Sequence, residues 1–252
     1  MSASPFVRPN PCEDPALRVV GFHHAGGSAA VYYPMGREFP PSWELALLDL
    51  PGRGKRFAQE PLEDMEQVVD RAVRDLEPFL DGSPLALFGH SFGALVALET
   101  GRALQRMGFT PQWLGVSGRV PPNFTRITRL SELDDEELLR TMVDMGGTPG
   151  RITEVPEFVA RFLRVARADL RAAESYRPDP GRPPMSCPLT VFGGTEDAWA
   201  PLPAMAGWQN ESLHACRRRV LPGGHFYFLG PALKGFTRDL IAEIRTVTAV
   251  PR

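Results

Sequence analysis

Cysteine is scarce, and a marked excess of charge of one sign and long apolar runs are missing. The chain of 252 residues has three cysteines, Cys12, Cys187 and Cys216. They are odd in number, far apart and without metal-ligand spacing, which argues against a disulfide framework and for a reducing compartment. The formal net charge is -2, and the signs alternate along most of the chain, so neither nucleic acid nor a membrane surface is an expected partner. The run Arg217-Arg218-Arg219 is too short to change that. Met1 to Pro15 is polar and proline-rich with no apolar stretch of signal-peptide length, and no later stretch is long enough to span a bilayer, so a cytoplasmic location is expected. There is no internal repeat and no low-complexity segment.

What is present is an alternation of short apolar strands and amphipathic helices. Leu17–Phe22, Glu44–Leu50, Leu85–Phe88, Trp113–Gly118, Leu189–Phe192 and Arg219–Leu221 read as strands. Between them fall a helical stretch from about Ala29 to Phe39 and a helix over Met65–Leu80, whose apolar positions include Met65, Val68, Val69, Ala72, Val73 and Leu76. A further helix runs from Phe92 to about Met107 and is stopped by Gly108. Such alternation predicts right-handed crossovers and a mostly parallel sheet with helices on both faces, an α/β fold over residues 1–252 as one domain.

About 70 residues separate Gly118 from Leu189, several times what a parallel crossover needs. The surplus is an insertion at about 120–185. It holds a helix N-capped by Ser131 and running to about Met145, a break at Gly146-Gly147-Thr148-Pro149-Gly150, and a second helix from about Pro156 to Tyr176. Two glycine-hinged helices over the carboxyl ends of the strands would form a lid. On the second helix Phe158, Phe162, Val165, Asp169, Ala172 and Tyr176 share one face, interrupted only by Asp169. Phe158 and Phe162 are expected to border a substrate chamber, with Asp169 hydrogen-bonded and structural; plain packing on the sheet is the alternative.

The chemistry concentrates at strand ends. Gly89-His90-Ser91-Phe92-Gly93 lies between an apolar strand and a helix, the context of a nucleophile elbow, with Ser91 at the tip and glycines where a Cβ would crowd the turn. A serine in an inert glycine-rich turn is the competing reading of those five residues. Strand Leu17–Phe22 empties into His23-His24-Ala25-Gly26-Gly27-Ser28, where α/β hydrolases place one oxyanion donor, here the backbone N–H of Ala25, with that of Phe92 as the second. No Lys-Ser/Thr follows the glycines, so a phosphate loop is not expected. Adjacent His23 and His24 point to opposite sides of a strand end, and no metal is expected there.

Later strands end in Gly193-Gly194-Thr195-Glu196-Asp197 and in Pro222-Gly223-Gly224-His225. The order Ser91, Asp197, His225 is that of an α/β-hydrolase triad: nucleophile, orienting acid, base. Taken singly, Asp197 is equally a turn residue with Glu196 as its rival, and His225 equally a core imidazole; His214 reads as surface. The conjunction, in order and each at a strand end, points to a serine hydrolase.

These residues carry a resemblance. Phe22-His23-His24-Ala25-Gly26-Gly27-Ser28, Leu50-Pro51-Gly52-Arg53, Phe88-Gly89-His90-Ser91-Phe92-Gly93, Arg167-Ala168-Asp169-Leu170, Gly193-Gly194-Thr195-Glu196-Asp197 and Gly223-Gly224-His225-Phe226 together resemble the stand-alone type II thioesterases of polyketide and nonribosomal-peptide assembly lines. The resemblance spans nearly the whole chain. It implies the α/β-hydrolase fold and the same triad and oxyanion residues. It also implies hydrolysis of acyl or aminoacyl thioesters from the phosphopantetheine arm of acyl or peptidyl carrier proteins, with no cofactor beyond the arm the substrate brings. Medium-chain fatty acyl thioesterases and small-molecule carboxylesterases of the same fold are the alternatives, and a non-catalytic binding relative a more distant one. Phe92 departs from the family, which more often has Met there, and is expected to alter pocket shape. Carriers of this kind are generally acidic, so Arg161, Arg164, Arg167 and Arg171 on the second lid helix form either a docking strip or a solvated face.

Overall fold

Apolar residues at consecutive strand positions fill both faces of a seven-stranded sheet. The computed structural model describes residues 4–124, 129–148 and 154–248. Its strands are β1 (Phe6–Val7), β2 (Leu17–Phe22), β3 (Trp43–Leu48), β4 (Leu85–His90), β5 (Trp113–Ser117), β6 (Leu189–Gly194) and β7 (Arg217–Leu221). They lie in the order β1-β3-β2-β4-β5-β6-β7, with β1 antiparallel to β3 and every other pairing parallel. This is the expected mostly parallel sheet of the α/β-hydrolase fold.

Side chains alternate between the two faces with the strand period. Val20, Phe22, Ala46, Leu48 and Leu87 face one core, shared with helices α2 (Met65–Leu76) and α3 (Phe92–Arg106). Val19, Leu45, Leu47, Ala86 and Phe88 face the other, closed by the short α1 (Ala29–Tyr32) and the C-terminal α6 (Leu233–Val247). Two elements fall outside the sequence expectation. β1 is two residues long inside a stretch that reads as polar, and it is held partly by Asn10, whose side chain donates to Trp43 O and accepts from Leu45 N. The other, α6, buries Leu233, Phe236, Leu240 and Ile244, a helical period present in the sequence.

Between β5 and β6 the insertion carries α4 (Asp135–Asp144) and α5 (Pro156–Ser175). Pro149 and Gly150 of the expected break lie outside the described residues. Ser131 is not the N-cap of α4. Asp134 is, accepting from Glu137 N at 2.8 Å, while the Ser131 hydroxyl donates to Glu174 on α5 at 2.5 Å. A tertiary partner thus outcompetes the local capping role.

β2 lies between β3 and β4, so the chain leaves it to opposite sides and the sheet's switch point falls at the carboxyl ends of β2 and β4. Above that point α5 is fastened by Asp169, 1 % exposed. Its carboxylate accepts two bonds from Arg53, at 2.7 and 2.9 Å, and a third from Gly26 N at 2.9 Å. The ion pair is buried on both sides, so removing one partner strands a charge. Asp169→Ala is expected to lower the unfolding free energy by about 3–5 kcal/mol, and Asp169→Asn by less, because an acceptor remains for Gly26. Urea denaturation reads both; equal stability of Asp169→Ala and the parent would show the contact to be incidental.

Candidate active site

Ser91 sits between β4 and α3 with φ 54° and ψ -113°, the one non-glycine residue at positive φ among the described residues. Two close approaches allow this turn. A Cβ on Gly89 would run into the Gly93 carbonyl, and one on Gly93 into the carbonyls of Phe22 and His23. The turn is tied to the sheet by Ser91 N donating to Ser117 O at 2.8 Å. The helix behind it is buried from Phe92 through Leu98.

Asp197 follows β6 and His225 follows β7. The His225 Nδ1 lies 2.9 and 3.1 Å from the two Asp197 carboxylate oxygens. Asp197 Oδ1 also accepts from Trp199 N at 2.8 Å and Ala200 N at 3.0 Å. Burial pushes the Asp197 carboxyl up, but the bond and charge of His225 and those two N–H groups outweigh it, so its pKa lies below the ordinary value. Glu196 is exposed, and it is Asp197 that meets the imidazole. With Nδ1–H donating to Asp197, neutral His225 keeps Nε2 as an acceptor. Exposed His214 bonds the Ser186 carbonyl, away from this group.

Ser91 and His225 line one cavity of about 520 Å³, together with Ala25. No hydrogen bond joins Ser91 to His225 among the described residues; such contacts often tighten only when substrate binds. Phe92 N and Ala25 N likewise make no hydrogen bond to protein among the described residues. The first belongs to the free N–H groups of a helix's opening turn, and the second to the loop whose next residue is held by Asp169.

An aromatic and imidazole cluster surrounds His225 that spacing in the sequence does not announce. Its ring packs 4.8 Å from His90 and 5.1 Å from Phe226, centroid to centroid. His90 Nδ1 bonds Ser117 Oγ at 2.8 Å, and Ser117 Oγ meets the Tyr227 hydroxyl at 2.5 Å. His24 Nδ1 bonds the Tyr32 hydroxyl at 2.8 Å, and its ring stands 4.7 Å from Phe226. His23 turns the other way, Nδ1 donating to His24 O and its ring beside Arg53. Burial, the leading cause in each case, pushes His23 and His90 well below 6.5 and His24 to about 3; the charge of Arg53 pushes His23 and His24 further.

The cavity wall corrects three expectations. The insertion supplies Leu130, Met142, Met145, Leu170 and Ala173 to the wall's apolar part, beside Trp199 and Phe226. Neither Phe158 nor Phe162 belongs to it. Phe158 is 57 % exposed, and Phe162 packs against the core beside Gly26. Most of the face shared by these residues packs inward, with Val165, Asp169 and Ala172 buried, as in the packing alternative; Leu170 and Ala173, off that face, line the cavity with Tyr176. Phe92 is buried with its ring toward His23 and does not line the cavity either. The arginine strip is largely neutralised: Arg164 pairs with Glu60, Arg167 with Asp135 and Arg171 with Glu63. Arg53, to which the sequence assigned no role, is the partner of Asp169; two polar residues at the ends of a long separation carry no local signal.

The Thioesterase domain family matches residues 18–243. The chain is 37 % identical over 219 residues to thioesterase PikA5 of Streptomyces venezuelae, covering 86 % of this chain and 78 % of that one. To the medium-chain S-acyl fatty acid synthase thioesterase of Homo sapiens it is 32 % identical over 240 residues, 93 % and 89 % of the two chains. The structure resembles that of RedJ, a thioesterase from the prodiginine biosynthetic pathway of Streptomyces coelicolor, with TM-score 0.85, 34 % identity and 91 % of each chain covered. No described helix is long and apolar enough to cross a membrane.

The buried histidines set a pH dependence. Each binds a proton in the unfolded chain near pH 6.5 but not in the fold, so the unfolded state gains protons as pH falls and stability drops below about 6.5. For His24, titrating near 3 in the fold, the cost between those values approaches about 1.4 kcal/mol per pH unit. Urea midpoints measured between pH 7.5 and 5 are expected to fall steeply below 6.5, and replacing His24 by Gln to flatten the slope; a midpoint independent of pH over that range would contradict it.

Proposed function

The chain belongs to the thioesterase domain family and is a thioester hydrolase, and from that premise we propose that it clears acyl or aminoacyl groups from the phosphopantetheine arm of acyl or peptidyl carrier proteins of a polyketide or nonribosomal-peptide synthase. The observation that carries the catalytic part is the Asp197–His225 contact at the wall of the cavity that Ser91 also lines. Ser91 is the nucleophile, His225 the base and Asp197 the orienting acid. His225 Nε2 takes the Ser91 proton as Oγ bonds to the thioester carbonyl carbon. The oxyanion rests on the N–H groups of Ala25 and Phe92, each such donor worth about 3 kcal/mol of barrier. The C–S bond then breaks, and the thiolate leaves with the proton from the imidazolium. Water, giving a proton to His225, attacks the acyl-serine ester; the acid departs and the proton returns to Ser91 Oγ.

Asp197 carries the developing imidazolium charge, which buried, neutral His24 and His90 do not oppose. The insertion serves as a lid, because α4 and α5 supply Met142, Leu170 and Ala173 to the cavity. No cofactor of its own is required: the phosphopantetheine arrives with the substrate. Free thiols at Cys12, Cys187 and Cys216 favour the cytoplasm. The similarity to the human medium-chain fatty acid synthase thioesterase and the apolar cavity wall favour a second reading, release of medium-length fatty acyl chains.

A fluorophosphonate probe is expected to label the protein and to fail on Ser91→Ala; persistent labelling would place the nucleophile elsewhere. Asp197→Asn should lower kcat by about 10³- to 10⁴-fold with an unchanged circular dichroism spectrum, and Glu196→Gln should have little effect. The reverse pattern would make Glu196 the acid. Among one acyl group on a carrier protein, on coenzyme A and as a p-nitrophenyl ester, the highest kcat/KM is expected for the carrier. A preference for the ester would turn the assignment to a carboxylesterase.

A further inference from the structure

We propose that the outer rim of the cavity, centred on Arg177, binds the phosphate of the substrate's phosphopantetheine arm; this rests on the thioesterase reading above. Ser91 and His225 lie in the cavity wall, and Arg129, Glu174 and Arg177 line both that cavity and a shallower polar cleft open to the surface. The three residues therefore mark where the cavity meets solvent. The arm is uncharged at its thioester end and carries its negative charge at the phosphate, the end joined to the carrier. With the thioester at Ser91, the phosphate is left outward, at a rim that needs a cation.

The rim's charges are unevenly compensated. The oxygens of Glu174 are turned to Leu130 N at 2.8 Å and to the N–H and hydroxyl of Ser131. Arg129 shares its charge with Glu132 at 2.8 Å in an exposed pair, the kind worth little. Arg177 differs. Its Nη1 donates to the carbonyls of Glu174 and Tyr176, at 2.7 and 2.9 Å, and no carboxylate accepts from it among the described residues. Those two bonds fix the guanidinium at the end of α5 and leave Nη2 and Nε for a ligand, the fork that suits phosphate oxygens. The basic strip on the exposed side of α5 lacks this property, since Arg164, Arg167 and Arg171 each face a carboxylate.

The test compares one acyl group on phosphopantetheine and on pantetheine, which differ only in the phosphate. The parent enzyme is expected to prefer the phosphorylated thioester through KM, with a preference that shrinks as salt is added. Arg177→Gln should reduce the ratio of the two kcat/KM values about fivefold, or about 1 kcal/mol. Arg177→Lys should keep most of it, and Arg161→Gln, at an exposed arginine on α5, should leave the ratio alone. If Arg177 merely caps α5, Arg177→Gln will lower the melting temperature without moving the ratio, which overturns the proposal. A parent ratio near one overturns it too. Hydrolysis of neither thioester by the parent would instead remove the thioesterase reading on which the rim rests. The same acyl group on a carrier protein and on coenzyme A then identifies the source of the phosphate, the favoured thioester being the one whose ratio Arg177→Gln lowers.

Discussion

A serine held at φ 54° costs of order 1–3 kcal/mol and persists only where the surroundings over-determine it. Here they do so from three directions. β5 accepts the Ser91 N–H through Ser117 O, the end of β2 presses against Gly93, and α3 is buried along its first turns. Moving Ser91 into a relaxed conformation would disturb the register between β4 and β5 or lift α3 from the sheet. The strained turn is thus stabilised by the same packing that holds the central strands, and the hydroxyl is presented at the switch point of the sheet.

The loop after β2 and the helix α5 meet through one carboxylate. Asp169 joins Arg53, from the loop after β3, to the Gly26 N–H, next to the Ala25 N–H proposed as an oxyanion donor. Three segments far apart in sequence are therefore ordered by a single buried charge. A buried ion pair contributes little net stability relative to apolar packing, but its geometry is specific, because either partner alone is costly. The histidines work in the opposite sense. Surrounded by Phe226, Tyr32 and Tyr227, His24 and His90 are kept neutral by burial, so the positive charge proposed to form on His225 would meet Asp197 without a cationic competitor beside it.

The insertion gives the cavity beside Ser91 much of its wall. Its helices turn an exposed crevice at the sheet edge into a cavity with an apolar interior and a charged rim. Only the carboxyl-terminal part of α5 overhangs Ser91, which is why Leu170, Ala173 and Tyr176 line the cavity while Phe158 stays in solvent.

The alternation of strands and helices, the elbow glycines around Ser91 and the order of serine, acid and histidine were determined by the sequence alone, because each rests on local steric rules or on position at a strand end. Strand periodicity also settled that both faces of the sheet are buried. What only tertiary structure decided are the matters that hinge on which distant segments meet. Asp197 rather than Glu196 reaches His225, since adjacent residues in a turn point apart and spacing does not say which faces β7. Asp134 rather than Ser131 caps α4, since Glu174 claims the serine hydroxyl. The arginines of α5 are neutralised by Glu60, Asp135 and Glu63, and Phe158 lies outside the cavity, because a helical wheel gives a face but neither the partners nor the axial position of the element packed against it.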